Sequence, residues 1–156
     1  MTVSPSVPSE RAAIVSAARR VGVFTEEEIR TVGELFDDYL RDAVGTGYNF
    51  LSYRVDNQVL GFACWGPTDL TRGAADLYWI CAAPEAQGQG VGAALFHAVE
   101  EAVRSAGRWL IMIWTSGKPE YESARKLYER TGCELSARVA DFFDHGDDLL
   151  LFTRRL

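Results

Sequence analysis

The sequence predicts one α/β domain, a mixed sheet flanked by helices, and three observations point to it. Apolar runs of strand length at Asn49–Val55, Val59–Trp65, Asp76–Ala82 and Trp109–Thr115 are preceded, interrupted after the third and followed by stretches of helical periodicity, the mixture that layers helices on a sheet. The run ending at Ala82 is stopped by Pro84 and leads into Gln87-Gly88-Gln89-Gly90-Val91-Gly92, a glycine-rich turn opening directly into a helix, Ala93–Ala106. The chain has 156 residues, 47% hydrophobic and 24% charged, which suits a single soluble domain with a core of its own.

Each element has its own signal. Met1–Ser9 carries three serines and two prolines and is expected to be a disordered tail, with the domain running from Glu10 to Leu156. Glu10–Arg20 places Ala13, Ile14, Ala17 and Ala18 on one helical stripe. Thr25 with Glu28 forms a capping box for a second helix through Ile29, Val32, Leu35, Phe36, Tyr39 and Leu40. A turn at Asp56-Asn57 joins the first two of the strands above into a hairpin. After the strand at Trp109–Thr115 come a helix over Glu120–Arg130 and closing strands near Glu134–Phe142 and Leu149–Thr153.

The glycine turn is the chemically informative segment. Three glycines in five residues at a helix start let the backbone approach a bulky ligand with its N–H groups free. The helix dipole adds roughly half a positive charge there, so a phosphate or pyrophosphate is the natural guest. A P-loop needs Gly-Lys-Ser/Thr, and no lysine lies near the turn. A dinucleotide fingerprint placed on Gly88, Gly90 and Ala93 needs a carboxylate about twenty positions on, at the tip of the next strand. That tip reads Ile113-Trp114-Thr115-Ser116-Gly117 and has none.

Gln87-x-x-Gly90-x-Gly92 after an apolar strand resembles the Gln/Arg-x-x-Gly-x-Gly/Ala signature of the GNAT superfamily of N-acetyltransferases. Ala124-Arg125-Lys126-Leu127-Tyr128-Glu129-Arg130-Thr131-Gly132-Cys133 is similar to that family's later helix, and the likeness spans roughly Asn49 to Leu156. The resemblance implies a GNAT-like mixed sheet of about six or seven strands flanked by about four helices. The family usually opens on a strand before its first helix. Thr2-Val3-Ser4-Pro5 is a poor one, so that strand is expected to be absent or short.

The resemblance further implies acetyl-coenzyme A as co-substrate and no metal, with direct attack by an amine in a ternary complex. The turn Gln87, Gly88, Gln89, Gly90, Val91 and Gly92 would cradle the pyrophosphate. The strand Asp76–Ala82 and its neighbour Trp109–Thr115 would part to admit pantetheine, pairing with the backbone of Ile80, Cys81 and Ala82. Cys81 itself reads as a small core residue, not a nucleophile. Tyr128 matches the family's leaving-group tyrosine, and a phenol of pKa near 10 is protonated at neutral pH. Asp76, eleven residues before Gln87, resembles the base of the histone-acetylating branch. Tyr121 departs from the family, many of whose members carry asparagine there.

The net charge of −6 speaks against a nucleic-acid partner, and no apolar run approaches the roughly 20 residues that span a membrane. Three cysteines, an odd number without metal spacing, fit a reducing cytoplasm. A homodimer is compatible with the chain. The acceptor is expected to meet the first two helices, the Gly66–Ala75 loop and the last hairpin, which hold Glu34, Asp37, Asp38, Tyr39, Asp69, Asp141, Asp144, Asp147 and Asp148. The aromatic-acidic stretch Asp141–Asp148 could lid the site. The expected acceptor is a primary amine of a small or amino-acid-like molecule. The alternatives are a protein or peptide amine, and a non-catalytic acyl-coenzyme A-binding module.

Overall fold

The computed structural model describes residues 1–156. Its elements run β1 (Thr2–Pro5), α1 (Arg11–Val21), α2 (Glu26–Thr46), β2 (Asn49–Val55), β3 (Gln58–Pro67), β4 (Ala74–Ala82), α3 (Val91–Ser105), β5 (Leu110–Ser116), α4 (Glu122–Arg130), β6 (Glu134–Asp144) and β7 (Asp147–Arg155). Short 3-10 turns at Pro8–Glu10, Pro84–Ala86 and Pro119–Tyr121 precede α1, the glycine turn and α4. All seven strands form one sheet in the order β1-β2-β3-β4-β5-β7-β6, with β4–β5 the sole parallel pair.

The capping box forms as read. Thr25 Oγ1 accepts the Glu28 N–H at 3.2 Å, and Glu28 accepts the Thr25 N–H at 2.7 Å, which satisfies two orphan donors at the start of α2. Gly22 and Gly47, both with positive φ, close α1 and α2. No helix is long and apolar enough to cross a membrane.

The amino terminus corrects the expectation of a tail. Thr2–Pro5 pairs antiparallel with β2, from Thr2 opposite Arg54 to Pro5 opposite Leu51. The buried Glu10 carboxylate anchors the segment between β1 and α1: Arg54 donates to it at 2.7 Å, Ser52 at 3.0 Å and the Val7 N–H at 2.9 Å. Burial alone would raise this carboxyl, but those donors outweigh it and hold it below its ordinary value. The family's first strand is present and short.

The sheet buries apolar side chains on both faces. Ile14, Ala17, Val32, Phe36, Phe50 and Phe62 join α1 and α2 to one face. Leu77, Leu95, Phe96, Ile111, Tyr128 and Phe152 belong to the layer joining α3 and α4 to the other. Full burial of one such large side chain is worth about 1.5–3 kcal/mol, so each layer supplies a large share of the driving force for folding.

An irregularity in β4 sets which residues face which layer. Cys64 pairs with Trp79 and Trp65 with Leu77, leaving Tyr78 as an extra residue, a β-bulge. Before it, Ala75 and Leu77 face α3. After it, Trp79 and Cys81 face α1 and α2, and Ile80 and Ala82 face α3. The bulge has exchanged the two faces. The β4–β5 pairing also stops here: only Ala74–Asp76 pairs, with Leu110–Met112.

Candidate functional site

Beyond Asp76, β4 and β5 part, and a cleft of about 800 Å³ opens between them, bounded by the glycine turn, α3, α4, the α1–α2 connection and the start of β7. Its inner wall is the free edge of β4. The Ala83 N–H bonds to the Leu60 carbonyl at 2.9 Å. Antiparallel hydrogen bonding alternates, so Cys81 and Trp79 also spend their backbone groups on β3 while Ile80 and Ala82 turn theirs toward the gap. This corrects one assignment. Ile80 and Ala82 can pair with an extended guest, but the Cys81 backbone is committed to Phe62.

The glycine turn forms the second wall. Gly88 and Gly90 have φ of +75° and +81°, where a β-carbon is disfavoured. The Gln87 N–H bonds to Pro84 and the Gln89 N–H to Ala86. The amides of Gly88, Gly90, Val91, Gly92 and Ala93 have no acceptor within the protein. Five unpaired donors at the start of a fifteen-residue helix make a strong anion site. The side chains of Gln87 and Gln89 bond to the carbonyls of Ala82 (3.4 Å) and Glu85 (2.8 Å) and brace the turn. Gly92 serves packing instead: a β-carbon there would come within 3.0 Å of Leu127 Cδ2.

Tyr128 closes the floor of the cleft. It is 6% exposed and tilted against Phe152, with ring centroids 5.6 Å apart. Its hydroxyl has no hydrogen-bond partner in the protein and keeps an opening to the cleft it lines. Burial, helped by Cys133 and Tyr121, pushes its pKa well above the ordinary tyrosine value. Cys81 is buried, and desolvation pushes its thiol up to about 12, the reverse of an activated nucleophile.

Asp76 does not join this group. It precedes the bulge, accepts a hydrogen bond from Thr68 Oγ1 at 2.7 Å and lies outside the cleft lining. Its charge is felt by the neighbouring Tyr78, which does line the cleft and is pushed up to about 12, mainly by burial.

The opposite end of the cleft is aromatic and acidic. Phe24, Tyr78, Trp79, Trp114, Tyr121 and Phe143 line it with Glu28, Glu120 and Asp147. The rings hold one another edge-on: Phe24 against Trp79 (5.1 Å), Tyr48 against Tyr78 (5.6 Å), and Phe142 against both Trp114 (5.6 Å) and Phe143 (5.0 Å). Asp147 accepts from Ser116 Oγ and lies 3.5 Å from Lys118 Nζ. Tyr121 is pushed up to about 12, by burial first and then by the charges of Glu28, Asp147 and Glu120.

Of the acceptor-wall residues named from sequence, only Asp147 lines the cleft. Asp37 pairs with Arg11, Asp38 with Arg41 and Asp148 with Arg138. Tyr39 donates to the Ser6 carbonyl at 2.9 Å, and Asp141 accepts the Gly146 N–H at 2.6 Å. Sequence reasoning missed Phe24, Glu28 and Trp114 as site residues; Glu28 was legible only as a capping residue. It also missed His97 and Arg130, which line the cleft along α3 and at the end of α4.

The seven-stranded architecture is shared with known proteins. The model of the acetyltransferase (GNAT) domain matches residues 46–133. A protein from Desulfovibrio desulfuricans, described as an acetyltransferase of the GNAT family, is 34% identical and superposes with a TM-score of 0.95 over 99% of this chain and 98% of that one. A ribosomal-protein-alanine N-acetyltransferase from Brucella melitensis is 19% identical, with a TM-score of 0.82 and full coverage of both chains (100% each). An aminoglycoside 6'-N-acetyltransferase solved with coenzyme A is 13% identical, with a TM-score of 0.80 over 99% and 97%; at these identities the last two share the fold. No curated protein matches the sequence. With the family model covering more than half of the residues and the nearly full-length likeness to the Desulfovibrio protein, this chain belongs to the GNAT family of acetyltransferases.

Proposed function

We propose that the protein is an N-acetyltransferase that moves an acetyl group from acetyl-coenzyme A to a primary amine of a small or amino-acid-like molecule, directly, within a ternary complex. One juxtaposition carries the reading. The five unpaired amides of the glycine turn, the free edge of β4 and the unpartnered Tyr128 hydroxyl all face one cleft.

The cleft fits the co-substrate by its donors. The amides of Gly88 and Gly90 to Ala93 suit the pyrophosphate, and Ile80 and Ala82 offer an extended amide chain a strand to pair with. When bound, acetyl-coenzyme A supplies an activated acetyl group, and the net transfer to an alkylammonium forms one C–N bond, breaks one C–S bond and sends one proton to sulfur and one to solvent. Tyr128 keeps its proton throughout the neutral range and holds it at an oxygen open to the cleft, as a proton donor must. Ile80 and Ala82 orient what lies along β4. Trp79 and Phe24, packed edge-on against each other, give the cleft an apolar wall at the α1–α2 connection. Asp76 reaches the cleft only through Tyr78, so a base role for it would be indirect and the amine proton has the cleft's water as a path.

The other reading is acetylation of a peptide or protein amine, favoured by the likeness to a ribosomal-protein-alanine N-acetyltransferase. Release of free coenzyme A thiol is followed with acetyl-coenzyme A and a panel of small amines, amino acids and peptides. Turnover on small amines supports the proposal; turnover only on peptides or folded proteins overturns it.

A further inference from the structure

Glu28, Glu120 and Asp147 reach the cleft from three different elements: the first turn of α2, the 3-10 turn before α4, and the start of β7. All three act on the same phenol, that of Tyr121. Three carboxylates lining one end of an aromatic cleft give that end a negative potential, which a cationic guest complements. A favourable helix dipole accounts for Glu120 at the start of α4 and for Glu28 in the first turn of α2, but not for Asp147, nor for the convergence of all three. Lys118, beside Asp147, offsets one of the three negative charges.

The cleft's only basic side chains, His97 and Arg130, lie elsewhere. Glu120 and Arg130 flank α4 at opposite ends, about 15 Å apart at helical rise. Charge is therefore segregated along the cleft: free amides and Arg130 at the glycine-turn end, where His97 is already paired with Glu100 at 2.8 Å, and carboxylates at the other. Between them lies the Tyr128 hydroxyl, nine-tenths buried and bonded to no protein group. The carboxylate end is also where the aromatic rings sit, already packed on one another.

We infer that the acceptor is an alkyl- or arylalkylammonium with an apolar body and no carboxylate, its cation facing Glu28, Glu120 and Asp147 and its body lying on Phe24, Trp79, Trp114 and Phe143. This narrows the proposed acetyl transfer and rests on it. A free amino acid brings its own carboxylate within a few bonds of the amine, into a wall that is already negative. An arylalkylamine presents the same body and cation without that cost. The ring faces add cation–π attraction to the ammonium.

The test compares phenethylamine with phenylalanine, which differ by one carboxylate, and with a short peptide of free α-amine. Free thiol is measured, and each compound is also titrated calorimetrically into the enzyme saturated with coenzyme A. Phenethylamine should exceed phenylalanine in kcat/KM by at least about tenfold, like-charge juxtaposition being costly at a partly desolvated site. The double variant Glu28→Gln/Glu120→Gln keeps the α2 cap, because the amide oxygen at position 28 still accepts the Thr25 N–H. It should raise the KM for phenethylamine about tenfold and leave that for acetyl-coenzyme A unchanged. Equal or better use of phenylalanine or the peptide overturns the acceptor class while leaving acetyl transfer intact. If nothing turns over, the transfer reading fails. Calorimetry then decides the acceptor class: binding of phenethylamine that the double variant weakens upholds it, and no binding overturns it.

Discussion

Gly92 on α3 lies under Leu127 on α4, so close that a β-carbon would meet Leu127 Cδ2 at 3.0 Å. The contact fixes the glycine turn to the helix that carries Tyr128, and its tightness predicts a graded response. Gly92→Ala should be nearly neutral, because the end of Leu127 can yield and alanine is the better helix former by about 1 kcal/mol. Gly92→Val should cost about 1–3 kcal/mol through overpacking and lower turnover as Tyr128 shifts. Denaturant unfolding and steady-state kinetics on both variants read the two effects.

Gly90→Asp should lower affinity for acetyl-coenzyme A at least about tenfold, since it sets a carboxylate among amides that favour an anion. The fold should survive: nothing lies within 4 Å of the added β-carbon, and the left-handed backbone costs aspartate about 1 kcal/mol. The isosteric Gly90→Asn separates charge from shape. Calorimetry giving equal affinities for the wild type and the aspartate variant would remove the turn from the binding site.

Tyr128→Phe should reduce kcat about 100-fold, the ordinary contribution of a general acid, with little change in KM for acetyl-coenzyme A. Stability should hold within about 0.5 kcal/mol, because the lost hydroxyl has no protein partner. The raised pKa sets a sign in the pH profile. Tyr128 loses its proton only above the ordinary tyrosine value, so no alkaline loss of rate attributable to it should appear below about pH 10.

Cys81→Ala should keep activity within a few-fold, its thiol being too weakly acidic to carry acetyl at neutral pH. The buried position makes a stability loss of about 1 kcal/mol the larger effect. Mass spectrometry during turnover should find Cys81 unmodified; acetyl trapped there would replace direct transfer with a covalent route.

Glu10 gives the fold an acid dependence. Its folded pKa lies below the unfolded value near 4.5, so the stability it contributes is present above that value and is lost as pH falls through the folded one. Glu10→Gln should therefore cost about 1–3 kcal/mol at pH 7, and the difference from wild type should shrink below about pH 4. Urea midpoints measured across pH check both statements.

The local signals were legible in the sequence. The capping box at Thr25 and Glu28, the glycine turn and the strand ahead of it lie where adjacent residues dictate them. What escaped depends on partners distant in the chain. Thr2–Pro5 has little strand character of its own and is ordered by β2, some fifty residues on. Counting by twos along β4 would put residues 75, 77, 79 and 81 on one face; the bulge at Tyr78 breaks that count, so the surroundings of Asp76 could not be read forward from it. The carboxylate end of the cleft is assembled from residues 28, 120 and 147, which no local pattern connects.

The parting of β4 from β5 has a mechanical side. Strands β1–β4 and β5–β7 are two half-sheets stitched by three residue pairs, Ala74–Leu110, Ala75–Ile111 and Asp76–Met112. Hydrogen bonds elsewhere resist splaying along whole strand lengths, whereas here the resistance is concentrated in one short seam at one end. A guest held between the half-sheets, as proposed, would bridge them beyond that seam, so its binding should stiffen the sheet at its open end.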